Sequence, residues 1–392
     1  MLSSRPHGCK AGRARVIAPL ENARLTPIGV GFIGAGNVLW AYLQMLDRLV
    51  PRGLAWEGPI FGRDREAWPA IVDRRPQARL VASAEEVLSS GVDVVVVITP
   101  PDTHAGFARD ALEHGAHVVC EKPVGMHRGE AEAVFELAAS SGLHVFAAPF
   151  VHLSPTFREL WTRVNRGEIG SVHSARAMYG NAGVTWSSWY HEAGVGPLAE
   201  LGVYNLKSLT SLLGPVREVF AAEAVAIAVR EAGGRRIDRP DPDVMHAMLR
   251  HERGALSSLM ASQAVQRYRR PGLELYGTEG TANLLGDDWD PRGLELWRTA
   301  DAAWRSFEPL DATWLWTDGL REAVDALREA RPPLVEPAQD LHVLDVIDAA
   351  RTSARTGAPV TVDSTFPPLD LTIELDRSRA YAHDHTRPMG EQ

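Results

Sequence analysis

The chain is poor in lysine and cysteine, and it lacks both long apolar runs and clusters of basic residues. Without a run of about 18 apolar residues, no membrane-spanning helix is expected. The formal net charge of −9, with no five basic residues in a row, argues against a nucleic-acid-binding surface. The two cysteines, Cys9 and Cys120, are far apart and have no metal-ligand spacing. We therefore expect neither a disulfide framework nor a metal site, and a reducing cytoplasm fits the composition.

Lysine is the rarest charged residue, since only Lys10, Lys122 and Lys207 are lysines among 41 basic residues. Lys122 follows the apolar run Val118–Cys120, in the segment Glu121-Lys122-Pro123. A surface charge at this point could have been arginine. A lysine ammonium is compact, carries three donors and changes its pKa readily when partly buried, whereas arginine stays protonated. We therefore predict that Lys122 takes part in chemistry rather than forming a solvated edge.

The chain length indicates two domains, because 392 residues exceed what one hydrophobic core usually supports. We predict a disordered or loosely docked arm over residues 1–26 and a first domain over residues 27–150. A second domain is expected over residues 151–362, followed by a C-terminal tail over residues 363–392.

In the first domain, apolar strands alternate with amphipathic helices. The predicted strands are Ile28–Ile33, Pro59–Phe61, Leu80–Ala82, Val92–Ile98, His117–Cys120 and Leu143–Ala147. The predicted helices are Val38–Val50, Ala84–Ser89, Ala105–His114 and Gly129–Ser141. This alternation is typical of an α/β domain with a doubly wound parallel sheet.

The second domain has a different pattern, with helices at Pro155–Asn165 and Leu198–Leu213 on either side of a loop rich in tryptophan and tyrosine. Alternating segments joined by glycine turns follow: Val216–Ala226, Asp243–Arg250, Ala255–Gln263, Gly272–Tyr276, Thr281–Leu285 and Leu294–Trp297. They predict an α+β domain with an open-faced, mostly antiparallel sheet, closed by two further helices. The open face must be covered, so we expect a homodimer or homotetramer.

A dinucleotide site is predicted where the first strand runs into Gly34-Ala35-Gly36-Asn37-Val38. Glycine permits a tight turn and a close approach to a pyrophosphate, and the helix that follows offers N–H donors. A second glycine pattern, Gly29, Gly31 and Gly34, is discounted because its first two members fall inside the strand.

The segment Gly62-Arg63-Asp64 follows the second strand and lacks an acid at the usual ribose-binding position. Arg63 there suits a 2′-phosphate, which slightly favours NADP(H) over NAD(H). The alternative is that Asp64 binds the ribose and Arg63 is a solvated charge. Thr99-Pro100-Pro101, at the end of the central strand, is placed to line a nicotinamide ribose. For His104, a structural role at the helix start competes equally with a role in the site.

Three segments resemble the Gfo/Idh/MocA oxidoreductases, the group of glucose–fructose oxidoreductase and inositol dehydrogenase. They are Gly34-x-Gly36-Asn37, Thr99-Pro100-Pro101-x-x-His104 and Glu121-Lys122-Pro123. The resemblance covers about residues 27–362, and Glu121-Lys122-Pro123 is its most specific part. It implies a Rossmann domain that binds NAD(P), with Glu121 near the cofactor, and an α+β domain with an open-faced sheet. It also implies hydride transfer on a sugar or cyclitol.

The second signature of that family, Asp-x-Gly-x-His-x-x-Asp, resembles the segment from Glu200 to Lys207, but all three polar positions differ. At about 100° per residue, Glu200, Tyr204 and Lys207 would share one polar edge of a helix. We interpret this edge as a site, and the alternative is a solvated helix edge. Tyr204 would replace histidine as the proton carrier, as in glucose–fructose oxidoreductase. Lys122 would lower the pKa of its phenol.

The remaining site residues would bind substrate. Glu200 would orient Tyr204 or bind a neighbouring hydroxyl, and Lys122 would hold the reacting oxygen. Lys207, where the family has aspartate, would alter the contacts to substrate hydroxyls. An aromatic wall for a sugar would be formed by Trp186, Trp189, Tyr190 and His191, whereas the later tryptophans, Trp289 among them, are interpreted as packing residues.

We therefore predict an NAD(P)-dependent oxidoreductase acting on a secondary hydroxyl or ketone of a sugar-like small molecule. One alternative is a redox-assisted glycosidase or lyase, which recycles a tightly bound cofactor and produces no net change in nicotinamide absorbance. The other is a non-enzymatic dinucleotide-binding regulator, against which the retention of Lys122 and Tyr204 argues.

Overall fold

The computed structural model describes residues 26–191, 194–238, 240–269 and 271–375, together with the backbone of residues 380–381. The predicted N-terminal arm, apart from Thr26, lies outside the described residues. So does the tail beyond residue 375, apart from the short strand at residues 380–381.

Among the described residues, the first domain contains a six-stranded parallel sheet with strand order β3-β2-β1-β4-β5-β6. The strands are β1 Ile28–Ile33, β2 Ala55–Phe61, β3 Leu80–Val81, β4 Val94–Val97, β5 His117–Cys120 and β6 Val145–Ala147. The four valines of β4 are all fully buried, as expected for a central strand covered on both faces. The predicted doubly wound sheet is confirmed.

Helices cover both faces of this sheet. They are α1 Leu39–Leu49, α2 Trp68–Arg74, α3 Ala84–Leu88, α4 His104–Glu113 and α5 Arg128–Ser140. Ser83 illustrates why they begin where they do. It has extended backbone and its hydroxyl accepts a hydrogen bond from the Glu86 amide, which caps α3.

The second domain is built on a ten-stranded sheet of order β17-β8-β11-β12-β7-β13-β14-β15-β16-β18 in the described part of the chain. Its strands, with the separate hairpin β9–β10, are β7 Val172–Gly180, β8 Val216–Ala224, β9 Arg230–Ala232, β10 Arg235–Ile237, β11 Val244–His251, β12 Leu256–Ser262, β13 Leu273–Gly277, β14 Gly280–Asp287, β15 Asp290–Arg298, β16 Ala303–Phe307, β17 Val360–Thr361 and β18 Ala380–Tyr381. All pairs are antiparallel except β7–β12, so the predicted mostly antiparallel sheet is confirmed.

Strand β7 was not predicted, although it lies in the middle of the sheet. Its buried, inward-facing positions include Ala175 and Ala177. Alanine lets the helix Val203–Leu213 approach the sheet closely, but it gives only a weak apolar alternation in the sequence.

Helices pack on one face of this sheet. The α-helices that the structure describes beyond residue 150 are α6 Pro155–Asn165, α7 Val203–Leu213, α8 Gly319–Glu329 and α9 Pro337–Thr356. One turn of π-helix, Leu198–Gly202, leads directly into α7. On the opposite face, Phe220, Met248 and Leu256 expose between 44% and 59% of their surface. The sheet is therefore open-faced, as predicted.

Helix α8 packs against the first domain, although its sequence lies far beyond residue 150. Leu320, Ala323 and Val324 are fully buried in the same core as β1 and α1. Gly319 allows the close approach, because a Cβ there would lie 2.1 Å from the Phe150 ring. A division of the chain at residue 150 therefore does not separate the two cores.

Residues 363–375 pack against the second domain rather than extending into solvent. Leu371 is buried, and its carbonyl accepts a hydrogen bond of 3.2 Å from Arg158 Nε. The Phe366 ring contacts His342 of α9. Across the described ranges, no helix has both the length and the apolar character needed to cross a membrane.

Candidate functional site

Three loops meet at the carboxyl edge of the parallel sheet. Strands β1, β4 and β5 are neighbours, and their last residues are paired in register, Ile33 with Val97 and Val97 with Cys120. The chain segments that follow them therefore leave the sheet side by side. Ligands of doubly wound sheets bind at this edge.

The turn after β1 has the shape of a phosphate cradle. Gly34 has φ +119°, and a Cβ there would lie 2.5 Å from the Ile98 carbonyl oxygen, so only glycine fits. Gly36 and Asn37 are exposed, and a Cβ at Gly36 would project into open space. Helix α1 then begins at Leu39. These residues fit the pyrophosphate of a dinucleotide, with Val38 at the helix N-terminus.

Gly29 and Gly31 lie inside β1, as the sequence interpretation required. A Cβ at Gly29 would meet the Trp56 ring at 2.5 Å, and one at Gly31 would meet Val87 at 2.7 Å. These two glycines allow Trp56 and Val87 to pack closely against β1, and they are not part of the phosphate cradle.

Arg63 and Asp64 are both exposed just beyond β2. Asp64 Oδ1 accepts a hydrogen bond of 2.9 Å from the Glu66 amide and caps the short turn that follows. Arg63 makes no hydrogen bond or ion pair with any residue that the structure describes. Gly62 holds this end of β2 against the cradle, since a Cβ there would lie 2.3 Å from the Ala35 Cβ.

His104 is buried and joins two of the three loops. Its Nδ1 lies 2.7 Å from the Pro123 carbonyl oxygen, and its Nε2 lies 2.7 Å from the Thr99 carbonyl oxygen. Burial lowers the pKa of the imidazole, while the two carbonyls favour its protonated form. Both ring nitrogens contact backbone carbonyl oxygens. Of the two roles considered for His104, this geometry favours the structural one. Pro101 is buried beside it, while Thr99 and Pro100 are half-buried.

Glu121 links the third loop to the cradle helix. Its Oε1 accepts a hydrogen bond of 2.9 Å from the hydroxyl of Tyr42 in α1, and its Oε2 accepts one of 3.2 Å from the Lys122 amide. Tyr42 is fully buried, and its pKa is raised by burial and then by the neighbouring Glu121 carboxylate. Glu121 therefore fixes the position of Lys122 relative to the cradle.

Lys122 connects the two domains. Its Nζ donates hydrogen bonds to the Glu200 carbonyl oxygen at 2.9 Å and to Glu200 Oε2 at 2.6 Å. Both side chains are largely buried, with exposed fractions of 11% and 6%. Glu200 lies in the π-helical turn, which is wider than an α-helical turn and presents both acceptors to the same ammonium. The third N–H of Lys122 has no partner among the described residues, and it is available to a ligand.

Tyr204 lies beside this pair, with Lys122 Nζ 5.9 Å from its ring centroid. Its ring packs edge-on against Tyr179 at a centroid distance of 5.9 Å. The Tyr204 hydroxyl makes no hydrogen bond within the part of the chain that the structure describes. The structure therefore brings the predicted Lys122, Glu200 and Tyr204 together.

The pKa of Tyr204 is raised well above its ordinary value, first by burial and then by Glu121, Tyr179 and Glu200. The expectation of a lowered pKa is therefore wrong for this arrangement. The Lys122 ammonium is itself paired with the Glu200 carboxylate. Glu200 also differs from the prediction that it orients Tyr204. Its acceptors bind Lys122, and it forms no hydrogen bond with Tyr204.

Lys207 does not belong to this group, and its predicted contact with substrate is wrong. Its side chain is fully buried and forms an ion pair with Asp340 of α9. The prediction assumed one regular helix from residue 198 to 213. Each residue of the π-helical turn rotates the chain less about the helix axis than a residue of an α-helix does. Glu200 and Lys207 therefore no longer share one edge of the helix. The partner on α9 could not be inferred from local periodicity.

The aromatic loop lies next to the same site. Trp189, Tyr190 and His191 form a short 3₁₀ turn in which Tyr190 and His191 are buried. Burial and then the charge of Glu200 raise the pKa of Tyr190, which places its phenol in the field of that carboxylate. The Nε2 atom of His191 lies 2.9 Å from the Val184 carbonyl oxygen, so this ring anchors the loop.

Sequence reasoning missed Tyr179, against which Trp289, predicted to be a packing residue, packs. Tyr179, near the end of β7, contacts both Tyr204 and Trp289, with a ring separation of 6.3 Å to Trp289. Trp289 lies in the turn between β14 and β15, more than 80 residues away from Tyr204 in the sequence. Only the strand order of the sheet brings these rings together, and no local pattern reports it.

Two segments of the chain, which together cover more than half of it, each match a known domain family. Residues 28–148 match the GFO/IDH/MocA oxidoreductase family with its NAD-binding Rossmann fold. Residues 157–283 match the GFO/IDH/MocA C-terminal domain.

Several proteins are similar along most of the chain. Trans-1,2-dihydrobenzene-1,2-diol dehydrogenase of Bos taurus is 26% identical over 267 residues, which cover 67% of this chain and 76% of that protein. D-xylose 1-dehydrogenase (NADP(+)) 2 of Haloferax volcanii is 25% identical over 319 residues, 78% of this chain and 91% of that protein. The crystal structure of an oxidoreductase domain protein from Kribbella flavida is 25% identical, with a TM-score of 0.76, and covers 87% of this chain and 100% of that one.

We predict that Lys207→Met destabilises the protein by about 3–5 kcal/mol, because it leaves the buried Asp340 carboxylate unpaired. Urea unfolding followed by circular dichroism measures the change. The matched control is Lys207→Met combined with Asp340→Leu, which removes both charges and should recover most of the loss. A Lys207→Met protein of unchanged stability but weakened substrate binding would restore the substrate-contact interpretation.

Proposed function

The chain belongs to the Gfo/Idh/MocA family of oxidoreductases, and we propose that it transfers a hydride between nicotinamide and a secondary hydroxyl or ketone of a sugar-like substrate. The observation that carries the proposal is the position of Lys122 at the carboxyl edge of the sheet, where its Nζ donates two hydrogen bonds to Glu200 and lies 5.9 Å from the Tyr204 ring centroid. The names of the bovine diol dehydrogenase and the haloarchaeal xylose dehydrogenase support a CH–OH substrate.

Lys122 and Tyr204 would act on the same substrate oxygen. A nicotinamide dinucleotide held at the turn of Gly34 and Gly36 would supply the chemistry of accepting or donating a hydride. In oxidation, the carbinol O–H proton passes to the Tyr204 oxygen while the C–H bonding pair leaves as hydride and a C=O bond forms. The remaining N–H of Lys122 donates to the substrate oxygen in both directions. Arginine could not do this from the same place. The three N–H donors of a lysine all point outward from one nitrogen, whereas those of the planar guanidinium lie in one plane on separate nitrogens.

Glu200 has the role of a positioning residue. It accepts two of the three Lys122 donors, so the third is held in one direction. This differs from the expectation that Glu200 orients Tyr204, and it accounts for a carboxylate at this position of the signature. The substrate and Tyr204 then meet an ammonium whose orientation is already fixed.

The raised pKa of Tyr204 favours reduction near neutral pH. A phenol that stays protonated is ready to donate a proton to a substrate carbonyl. Oxidation instead needs the phenolate as base, and the phenolate becomes populated only as the pH approaches the raised pKa. We therefore expect the oxidation rate to rise with pH through the alkaline range, while the reduction rate stays level and falls once the phenol ionises.

We predict that Tyr204→Phe lowers kcat for both directions by about 100-fold or more, the range that general acid–base groups contribute. The measurement is nicotinamide absorbance across a panel of aldoses, cyclitols and their ketones, with NAD(H) and NADP(H). Cofactor affinity should stay unchanged, because Tyr204 lies apart from the cradle.

Tyr276→Phe is the matched control, since this phenol contacts Glu274 on the sheet and not the site. Equal turnover by wild type and Tyr204→Phe would refute the proton-transfer role. Product release without net absorbance change would instead indicate the redox-assisted glycosidase or lyase.

We propose a preference for NADP(H), based on the unpartnered and exposed Arg63 beside the cradle and on the local capping role of Asp64. Arg63→Ala should raise the Kd of NADP(H) by about 10- to 100-fold, as expected for the loss of a charge-assisted contact, with little change for NAD(H). Fluorescence titration measures both. Arg109→Ala on the exposed side of α4 is the control. An equal change for the two cofactors would contradict the preference.

We also propose that the open face of the large sheet pairs with a second copy, giving a homodimer or homotetramer. Exposed Phe220 and Met248 are paired across β8 and β11, so they form one continuous apolar surface. Symmetric pairing places each substituted residue in the interface twice. Met248→Lys should therefore shift the protein to monomer in sedimentation equilibrium, with Arg217→Lys as a control outside this apolar surface. A wild-type protein that sediments as a monomer would contradict the proposal.

A further inference from the structure

Trp186 is a large aromatic residue with an unusually exposed side chain. It exposes 54% of its surface on the loop between β7 and the π-helical turn. Its ring lies edge-on to Trp189 at a centroid distance of 6.1 Å and 6.4 Å from Tyr190. We call Trp186 and Trp189 the tryptophan shelf. Aromatic surface of this size in water indicates a binding surface.

The backbone under the shelf is held by several hydrogen bonds. The Gly233 amide, in the β9–β10 turn, donates to the Thr185 carbonyl at 2.9 Å, and the His191 amide donates to the Ser188 carbonyl at 2.9 Å. A Cβ at Gly233 would lie 3.1 Å from the Ser188 nitrogen, so the hairpin packs closely against the loop. The shelf is therefore pre-formed, which reduces the entropy lost when a ligand binds.

Ring contacts and the end of β7 connect the shelf with the candidate site. Trp189 lies 5.7 Å from Tyr190, and the next residue, His191, is anchored to the Val184 carbonyl in the loop that follows β7. Tyr179, near the end of β7, contacts Tyr204. The aromatic surface thus runs from the proposed proton carrier outward to Trp186. The shelf is an extension of the candidate site and not a separate patch.

Polar groups accompany the rings. The Tyr190 hydroxyl faces the side-chain amides of Asn181 and Gln263. Asn181 is half-buried, and its Oδ1 accepts a hydrogen bond of 2.9 Å from the Gly183 amide. Its NH2 group is therefore left to donate to the oxygens of a ligand.

We infer that the shelf binds a second sugar unit, joined by a glycosidic bond to the unit that reacts at Tyr204. The inference rests on the proposed function and specifies its substrate class, a disaccharide or other glycoside. A pyranose has an apolar C–H face that matches an indole ring and a hydroxyl rim that matches amide and phenol groups. A lone monosaccharide held between Lys122 and Tyr204 leaves Trp186 uncovered.

Calorimetric titration of the full-length protein, saturated with NADP⁺ or NAD⁺, tests this. The probes are cellobiose, maltose and lactose, each beside D-glucose and D-galactose. At least one disaccharide should bind about tenfold more tightly than its monosaccharides. Trp186→Ala should remove that advantage while monosaccharide affinity stays within about twofold. Trp186→Phe, which keeps an aromatic ring, should retain most of it, and circular dichroism confirms that both variants fold.

Two results of the sugar titrations overturn the inference and leave the proposed function intact. One is turnover of monosaccharides with no disaccharide advantage. The other is a disaccharide advantage that Trp186→Ala does not change. A Trp186→Ala protein with altered oligomeric state and unchanged sugar affinities would assign the shelf to a subunit interface, and this also overturns it. Absence of binding and turnover with every sugar overturns both proposals.

Discussion

The ion pair between Lys122 and Glu200 is the contact on which the site depends, because it joins two separately built cores. Lys122 comes from the end of β5, and Glu200 comes from the π-helical turn before α7. On the first side, Glu121 fixes the lysine through Tyr42 of the cradle helix. On the second side, both acceptors belong to one residue, so they move together. This one ammonium therefore fixes the position of the sheet edge proposed to bind the cofactor relative to the surface proposed to bind the substrate.

This contact also sets the electrostatics around Tyr204. The ammonium beside the Tyr204 ring is already paired with the Glu200 carboxylate, and one further carboxylate, that of Glu121, also acts on the phenol. Burial and the carboxylates of Glu121 and Glu200 therefore raise the pKa of the phenol. In the proposed function, this would make Tyr204 a proton donor at neutral pH with a lysine donor beside it, an arrangement suited to polarising and protonating a carbonyl. The ion pair with Glu200 thus determines how Lys122 acts on Tyr204.

Much of this could be predicted from the sequence where the chemistry is local. The valine run of β4 and the glycines after β1 indicated the parallel sheet and its cradle, and the rarity of lysine indicated Lys122. The predictions were wrong or absent where the answer depends on distant parts of the chain. Lys207 was misassigned because its partner Asp340 lies on α9 and because a π-helical turn interrupts the helical periodicity. Tyr179 was missed because β7 buries small residues, and only the strand order brings it to Tyr204.

The most direct test of the account follows deuterium from the carbinol carbon of a sugar that the protein oxidises. Nuclear magnetic resonance of the nicotinamide reports whether deuterium reaches C4, in wild type and in Lys122→Met. The account predicts direct transfer to C4 by wild type, and transfer at least about 100-fold slower in a Lys122→Met protein that still binds the cofactor. Deuterium released to water, or equal transfer rates in the two proteins, would contradict it.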